Sequence, residues 1–262
     1  MRKSRWLVSA LVGSLVAMPM SSNAQAPDTL KDQPTSFGRD VIGALFGPHW
    51  NMFLHGGATT SDRLTLQAAA PVGTARSLET ATGYNVGGGA GIDLFSHMGV
   101  RFAYTFTSSG LNFKTDNGNG STALDINGVG TLLSHTASLE VIRYMLPARS
   151  AFNPYGTLGV QGTWWGLTKH SNLLRVGSGA QFGVGPLFSF GTQIRSADRL
   201  SWRLEMAMTS GHNPFTGNKS FRALSGPTID EPTSLSRIDF RVAGVYHFDS
   251  PSSSGSAVVA RK

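Results

Sequence analysis

Charged side chains are scarce in this chain: Asp, Glu, Lys and Arg make up 14% of 262 residues. Where they fall is therefore informative. Asp93, Arg101, Glu140, Arg203, Glu205, Asp239, Arg241 and His247 each occupy one phase of a two-residue alternation whose other phase is largely apolar. In extended backbone that spacing places them on one sheet face. There, carboxylates and guanidinium groups can neutralise one another, move protons, or line a polar conduit. None of the pairs adjoins an evident nucleophile, so an ion-pair network is the plainer chemistry, and a gated pore or an acid/base site the sharper one. His135, Ser138 and Glu140 have the residue types of a hydrolytic triad. In a strand, however, His135 and Ser138 point to opposite faces. The absence of cysteine excludes a thiol nucleophile, a disulfide framework and a cysteine zinc cage. Gly87–Gly91 and Gly183–Gly191 are glycine-dense but lack Gly-x-Gly-x-x-Gly and a following Lys-Ser/Thr, so they are not phosphate loops. No cofactor or metal is implied. On a face of long side chains, glycine leaves room for side chains from other strands; room left unfilled becomes a cavity for a small ligand or water.

The elements that must carry these residues are long strands. Leu200, Trp202, Leu204, Met206 and Met208 alternate with Ser201, Arg203, Glu205, Ala207 and Thr209. Ile238, Phe240, Val242, Gly244, Tyr246 and Phe248 alternate with Asp239, Arg241, Ala243, Val245 and His247. Similar patterns cover 50–58, 84–94, 100–106, 133–145, 154–164 and 181–194, about eight strands in all. Most run to about ten residues or more, beyond the roughly five or six usual in soluble sheets. Pro186 falls inside one of them and implies a bulge or an early strand end. Intervening segments run long (59–80), short (95–98), long (110–130), medium (146–153), medium-long (166–180), short (195–199) and long (210–235), as in an up-and-down barrel with loops at one end and turns at the other.

The N-terminus reads as an export signal: Arg2, Lys3 and Arg5, an apolar run to Met20, and a small-x-small site at Ser22-Asn23-Ala24. Cleavage after Ala24 lowers the formal charge from +7 to +4. The expected organisation is a signal peptide over 1–24, a periplasmic tether over 25–48 with a short helix near 37–46, a transmembrane barrel over 49–248 and a tail over 249–262. A soluble sandwich would show the same alternation with its apolar face inward. Strand length, loop alternation and aromatics near strand ends (Trp50, Trp164, Trp165, Trp202, Tyr246, Phe248) favour the membrane. The expected fold class is all-β: an eight-stranded antiparallel transmembrane up-and-down β-barrel.

Arg143-Tyr144-Met145-Leu146-Pro147, the run Asn153-Pro154-Tyr155-Gly156-Thr157-Leu158-Gly159-Val160, and a strand ending Val245-Tyr246-His247-Phe248 resemble the small bacterial outer-membrane β-barrel superfamily. That superfamily includes the outer membrane protein A barrel domain and the outer membrane protein W family, and the resemblance covers roughly 49–248. It implies a monomer in the Gram-negative outer membrane, in contact with lipid and lipopolysaccharide and inserted by the barrel-assembly machinery through its terminal aromatic strand. Asp249–Lys262 departs from that pattern by following the terminal aromatic, and is too short for a peptidoglycan-binding domain. The expected role is non-enzymatic: structural, surface-interacting or a minor pore. Resemblance to the protein W family implies, as an alternative, a narrow channel for small hydrophobic molecules. A second alternative is a lipid A-modifying hydrolase, since some barrels of this size deacylate lipid A with Ser, His and Glu. Their His-x-Ser-Asn motif is missing, and Gly211-His212-Asn213-Pro214 is its nearest echo. The positive charge does not indicate nucleic acid, because the long loops are nearly neutral; only 166–180, with Lys169 and Arg175, is basic enough for a lipopolysaccharide contact.

The last two long strands are consecutive and should pair antiparallel. Setting Thr209 opposite Arg237 places Asp239 against Ala207, Arg241 against Glu205 and Ala243 against Arg203. This predicts a lumen cluster in which Arg241 meets Glu205 and Asp239, and Arg203 reaches Glu205 along its own strand.

Overall fold

A computed structural model describes residues 50–248 apart from 63, 70–73, 96, 117–121, 148–149, 171–180, 214–227 and 231–232. The signal, the tether with its helix, the tail and Arg175 lie outside the described residues.

Eleven strands form a single sheet: β1 Trp50–Ser61, β2 Thr65–Ala69, β3 Thr74–Thr80, β4 Gly83–Phe95, β5 Met98–Asp116, β6 Thr122–Tyr144, β7 Phe152–Lys169, β8 Gln181–Ala197, β9 Leu200–His212, β10 Thr228–Asp230 and β11 Ser234–His247. Eight of them close a ring in the order β1, β4, β5, β6, β7, β8, β9, β11, with β11 returning to β1. Every pairing is antiparallel. Closure leaves the ring no edge, which is what a sheet needs where no water can satisfy its backbone.

The outer wall is apolar. Leu54 is 76% exposed and Val160 59%, with Met52, Phe102, Leu139, Leu158, Val184, Trp202, Leu204, Phe240 and Val242 about half exposed. A soluble protein does not present a continuous belt of this kind to water. Two aromatic rows bound it. Above, Phe106, His135, Trp164 and Phe182 are cross-strand neighbours in successive ladders, and Tyr84 lies 6.4 Å from Phe106. Below are Trp50, Phe152, Trp202, Tyr246 and Phe248. From Phe152 to Trp164 along one tilted strand is ~30 Å of depth, the thickness of a bilayer core. Apolar outside and charged inside, the ring is a membrane-spanning β-barrel.

Three expectations need correcting. Segments 59–80 and 110–130 are not loops: β1 runs on to Ser61, β2 and β3 form a hairpin, β5 runs to Asp116, and β6 starts at Thr122. Their alternation is hidden because it inverts. Along β5, outward residues change from Phe102, Tyr104 and Phe106 to Ser108, Asn112 and Lys114, while inward ones change from Arg101, Thr105 and Thr107 to Leu111 and Phe113. A bulge with Gly128 at φ 71° then adds two residues to β6 opposite Leu111–Phe113. Second, Pro186 neither bulges nor ends β8. It pairs with Val160 in an unbroken ladder to β7, whereas the ladder to β9 begins only at Leu187, so the missing N–H falls where β9 offers no paired partner. Third, Trp165 turns inward and is buried in an apolar cluster, because it has the opposite parity to the lipid-facing Trp164.

Above the lipid-facing band the interior is apolar, with Leu64, Leu78, Leu111, Phe113, Val129, Leu132, Trp165 and Leu235 packed together. At the opposite end the β6–β7 turn is clamped by Asn153. Its Oδ1 accepts from Leu146 N at 3.0 Å, and its Nδ2 donates to Leu146 O at 3.0 Å and Pro147 O at 2.9 Å.

Candidate functional site

The eight lumen residues expected from the alternation all face inward. Arg101, Glu140, Arg203, Asp239 and Arg241 are buried, and Glu205 has a side chain only 6% exposed. The register between β9 and β11 is the expected one: Ala207 with Asp239, Glu205 with Arg241 and Arg203 with Ala243. Arg241 Nη2 donates to Asp239 Oδ2 at 2.8 Å, and its Nη1 to Glu205 Oε1 at 3.4 Å.

Ring closure brings the two walls together. β5 and β9 are four strands apart in either direction around the ring. Arg101 Nη2 of β5 nonetheless lies 2.6 Å from Glu205 Oε2 of β9, spanning the lumen. The same guanidinium holds Glu140 Oε2, through Nη2 at 2.6 Å and Nε at 2.8 Å. Glu140 also accepts from Ser138 Oγ at 2.8 Å and Thr157 Oγ1 at 3.1 Å. The chain of pairs therefore runs Arg237–Asp239–Arg241–Glu205–Arg101–Glu140, with Arg237 Nε 3.3 Å from Asp239 Oδ2. Buried ions are tolerated because nearly every charge has an opposite neighbour and hydroxyl partners.

Arg203 departs from expectation. Among the described residues it forms no ion pair with Glu205. Its Nε donates to Gln193 Oε1 at 2.7 Å and its Nη2 to Tyr144 Oη at 3.3 Å. The guanidinium also sits 5.6 Å from the Phe53 ring centre and 5.9 Å from that of Tyr155. In a narrow lumen a side chain reaches across as easily as along its own strand, and Glu205 is already held by Arg101, Arg241 and Tyr155 Oη at 2.9 Å. Asp93 accepts from Tyr144 Oη at 3.2 Å. His247 Nε2 lies 3.0 Å from Ser201 Oγ.

Sequence reasoning missed Arg237, His55, Tyr144, Tyr155 and Gln193. Each shares the inward parity of its neighbours: Arg237 that of Asp239, and Tyr144 that of Glu140. That parity was the available signal. Arg237 Nη1 crosses the lumen to Ser134 Oγ at 3.0 Å. The lumen glycines make room as expected, though for adjacent strands rather than opposite ones. A Cβ at Gly87 would lie 2.8 Å from the His55 ring, one at Gly89 2.7 Å from Phe53 Cζ, one at Gly159 2.8 Å from Glu140 Cγ and one at Gly191 2.9 Å from Tyr155 Oη.

The triad residues do not converge. His135 is on the outer wall with its Nδ1 2.6 Å from Tyr104 Oη, whereas Ser138 and Glu140 are inside. His212 is exposed at the end of β9. Among the described residues no group of three or more His, Asp or Glu side chains is arranged to hold a metal. A cavity of about 10 Å³ lies among the charged residues, lined in part by Phe53, His55, Arg101, Arg203, Glu205 and Arg241. That is the room of about one water.

A closed eight-stranded ring with an apolar belt, two aromatic rows and a charged interior defines the small outer-membrane type of β-barrel. Among solved structures the chain is similar to the outer membrane protein OprG from Pseudomonas aeruginosa, at 16% identity and a TM-score of 0.47, covering 75% of this chain and 94% of that one. It is also similar to Neisserial surface protein A, at 10% identity and a TM-score of 0.41 over 75% of this chain and 97% of that one. A third is the outer membrane protease OmpT from Escherichia coli, at 10% identity and a TM-score of 0.42 over 78% of this chain and 98% of that one. No protein-family model matches the sequence, and no curated protein matches it.

Proposed function

We propose that this is a non-enzymatic outer-membrane barrel, closed at rest, whose role is structural or surface-interacting. The observation that carries this reading is the ion-pair chain that crosses the lumen from Arg237 on β11 to Glu140 on β6. A resting pore needs a continuous water path, and the Arg101–Glu205 bridge lies across any such path. Function then falls to the exterior, where the lipid belt meets membrane lipid and lipopolysaccharide, and to the strands that extend above it. The test is conductance in planar bilayers beside heat-dependent gel mobility, which reports the folded barrel. Folded protein should give no stable conductance, and Arg241→Ala should open one or lower stability; steady ohmic current from the unaltered protein would contradict the reading.

One observation favours a narrow channel for small hydrophobic molecules: the apolar cluster at the mouth. Its floor is the charged layer, so passage would require that layer to part. Uptake of an apolar dye into proteoliposomes, greater than into empty vesicles, would favour the channel. Acyl release from lipopolysaccharide would instead favour a hydrolase, and none is expected.

A further inference from the structure

We infer that the barrel holds one small monovalent anion, of halide size, at the centre of its charged layer. This rests on side chains that the ion-pair chain leaves incompletely used. Arg203 is 2% exposed, and its Nη1 has no hydrogen-bond partner. Arg241 Nε is likewise buried without one. Both residues line the same central cavity. A buried guanidinium N–H without an acceptor is costly, and the cost is greater for a charged group.

Charge balance points the same way. The layer contains Arg101, Arg203, Arg237 and Arg241 against Glu140, Glu205 and Asp239. A fourth lumen acid, Asp93, accepts from the Tyr144 hydroxyl, which in turn accepts from Arg203; it is not among the residues lining the cavity. Around the cavity itself three guanidinium groups face a single carboxylate, Glu205. Both oxygens of that carboxylate are engaged: Oε1 by Arg241, and Oε2 by Arg101 and Tyr155. The cavity is therefore donor-rich and electropositive, in a setting where charge is poorly screened.

The hollow is built by small residues between large ones. Ala243 pairs with Arg203 of β9 on one side and His55 of β1 on the other, and Ala103 and Ala243 complete the cavity wall. Arg203 and Arg241 occupy diagonal positions on neighbouring strands, and both line the hollow. A second carboxylate at either alanine position would have neutralised the layer from within; the sequence places methyl groups there. The site selects by charge first: a cavity of about 10 Å³ is the room of roughly one water, so a monatomic anion asks less movement of the lining than phosphate or sulfate would.

The experiment is a crystal of the full-length folded barrel grown in sodium bromide in place of chloride, with anomalous data at the bromine edge. The expected result is one lumen peak within hydrogen-bond reach of Arg203 Nη1 and Arg241 Nε. Water density there without an anomalous signal overturns the proposal. Urea unfolding in vesicles at matched ionic strength gives a second measurement. Chloride in place of isethionate should raise the midpoint of the unaltered protein, because a ligand bound only by the folded state stabilises it. Arg203→Met should abolish that shift. An equal shift in both proteins overturns the proposal, and if Arg203→Met does not fold, the bromide peak in the unaltered protein decides.

Discussion

The barrel has two interiors. Within the lipid-facing band the lumen is lined by Arg101, Glu140, Glu205, Asp239 and Arg241, whereas above it the same strands enclose Leu78, Leu111, Phe113, Leu132 and Leu235. β5, β6 and β11 contribute to both, so strand identity does not decide which interior forms; the solvent outside does. Where lipid surrounds the wall, the outward phase must be apolar and the inward phase takes the polar residues. Where water surrounds it, the strands revert to the soluble arrangement, apolar inside. The crossover on β5 falls between Phe106 and Leu111 and marks the membrane boundary in the chain itself.

The largest expected effect comes from breaking the charged interior. Arg101→Met strands Glu140 and Glu205 close together, and removing one partner of a buried pair costs about 3–5 kcal/mol. The measurement is urea unfolding in lipid vesicles; a loss well under 1 kcal/mol would mean water already enters the layer. In the apolar interior, Leu111→Ala deletes a fully buried side chain. It should cost about 2–5 kcal/mol in the same assay, and proteolysis should detect loosening at the mouth before the barrel opens.

Outward positions separate the two regions further. Met206→Arg near mid-belt should cost on the order of 2–4 kcal/mol, while Asn112→Arg, outward on β5 above the crossover, loses only the bond its Oδ1 accepts from Gly128 N and should cost no more than about 1 kcal/mol. Equal tolerance would return the chain to a soluble sandwich. Smallest of all is Ala207→Ser on the lumen face, where the new hydroxyl lies opposite Asp239. A cost near that of Met206→Arg would show that the two walls do not differ in environment.

Much of this was legible because period-two alternation is a local signal. Eight long strands, the inward face of Arg203 and Asp239, and the Glu205–Arg241 register all follow from parity and one hairpin assumption. Three things were not legible. The Arg101–Glu205 bridge depends on closure across a lumen, and no sequence spacing encodes which residues meet over a diameter. The choice of Gln193 and Tyr144 by Arg203 is a competition among partners from three strands, decided by reach. The upper strands were hidden by the inversion itself: as the apolar phase switches sides between Phe106 and Leu111, alternation breaks and the segment looks like a loop.

The central claim is that this inversion records a bilayer boundary, and the chain, having no cysteine, is suited to the direct test. Single cysteines at Val100, Phe102, Tyr104, Phe106, Ser108, Gly110, Asn112 and Lys114 of β5, each spin-labelled in a folded barrel in vesicles, report collision with oxygen and with a water-soluble nickel reagent. The account predicts oxygen-dominated collision through Phe106 and nickel-dominated collision from Gly110 upward. Nickel-dominated collision along the whole row would contradict it.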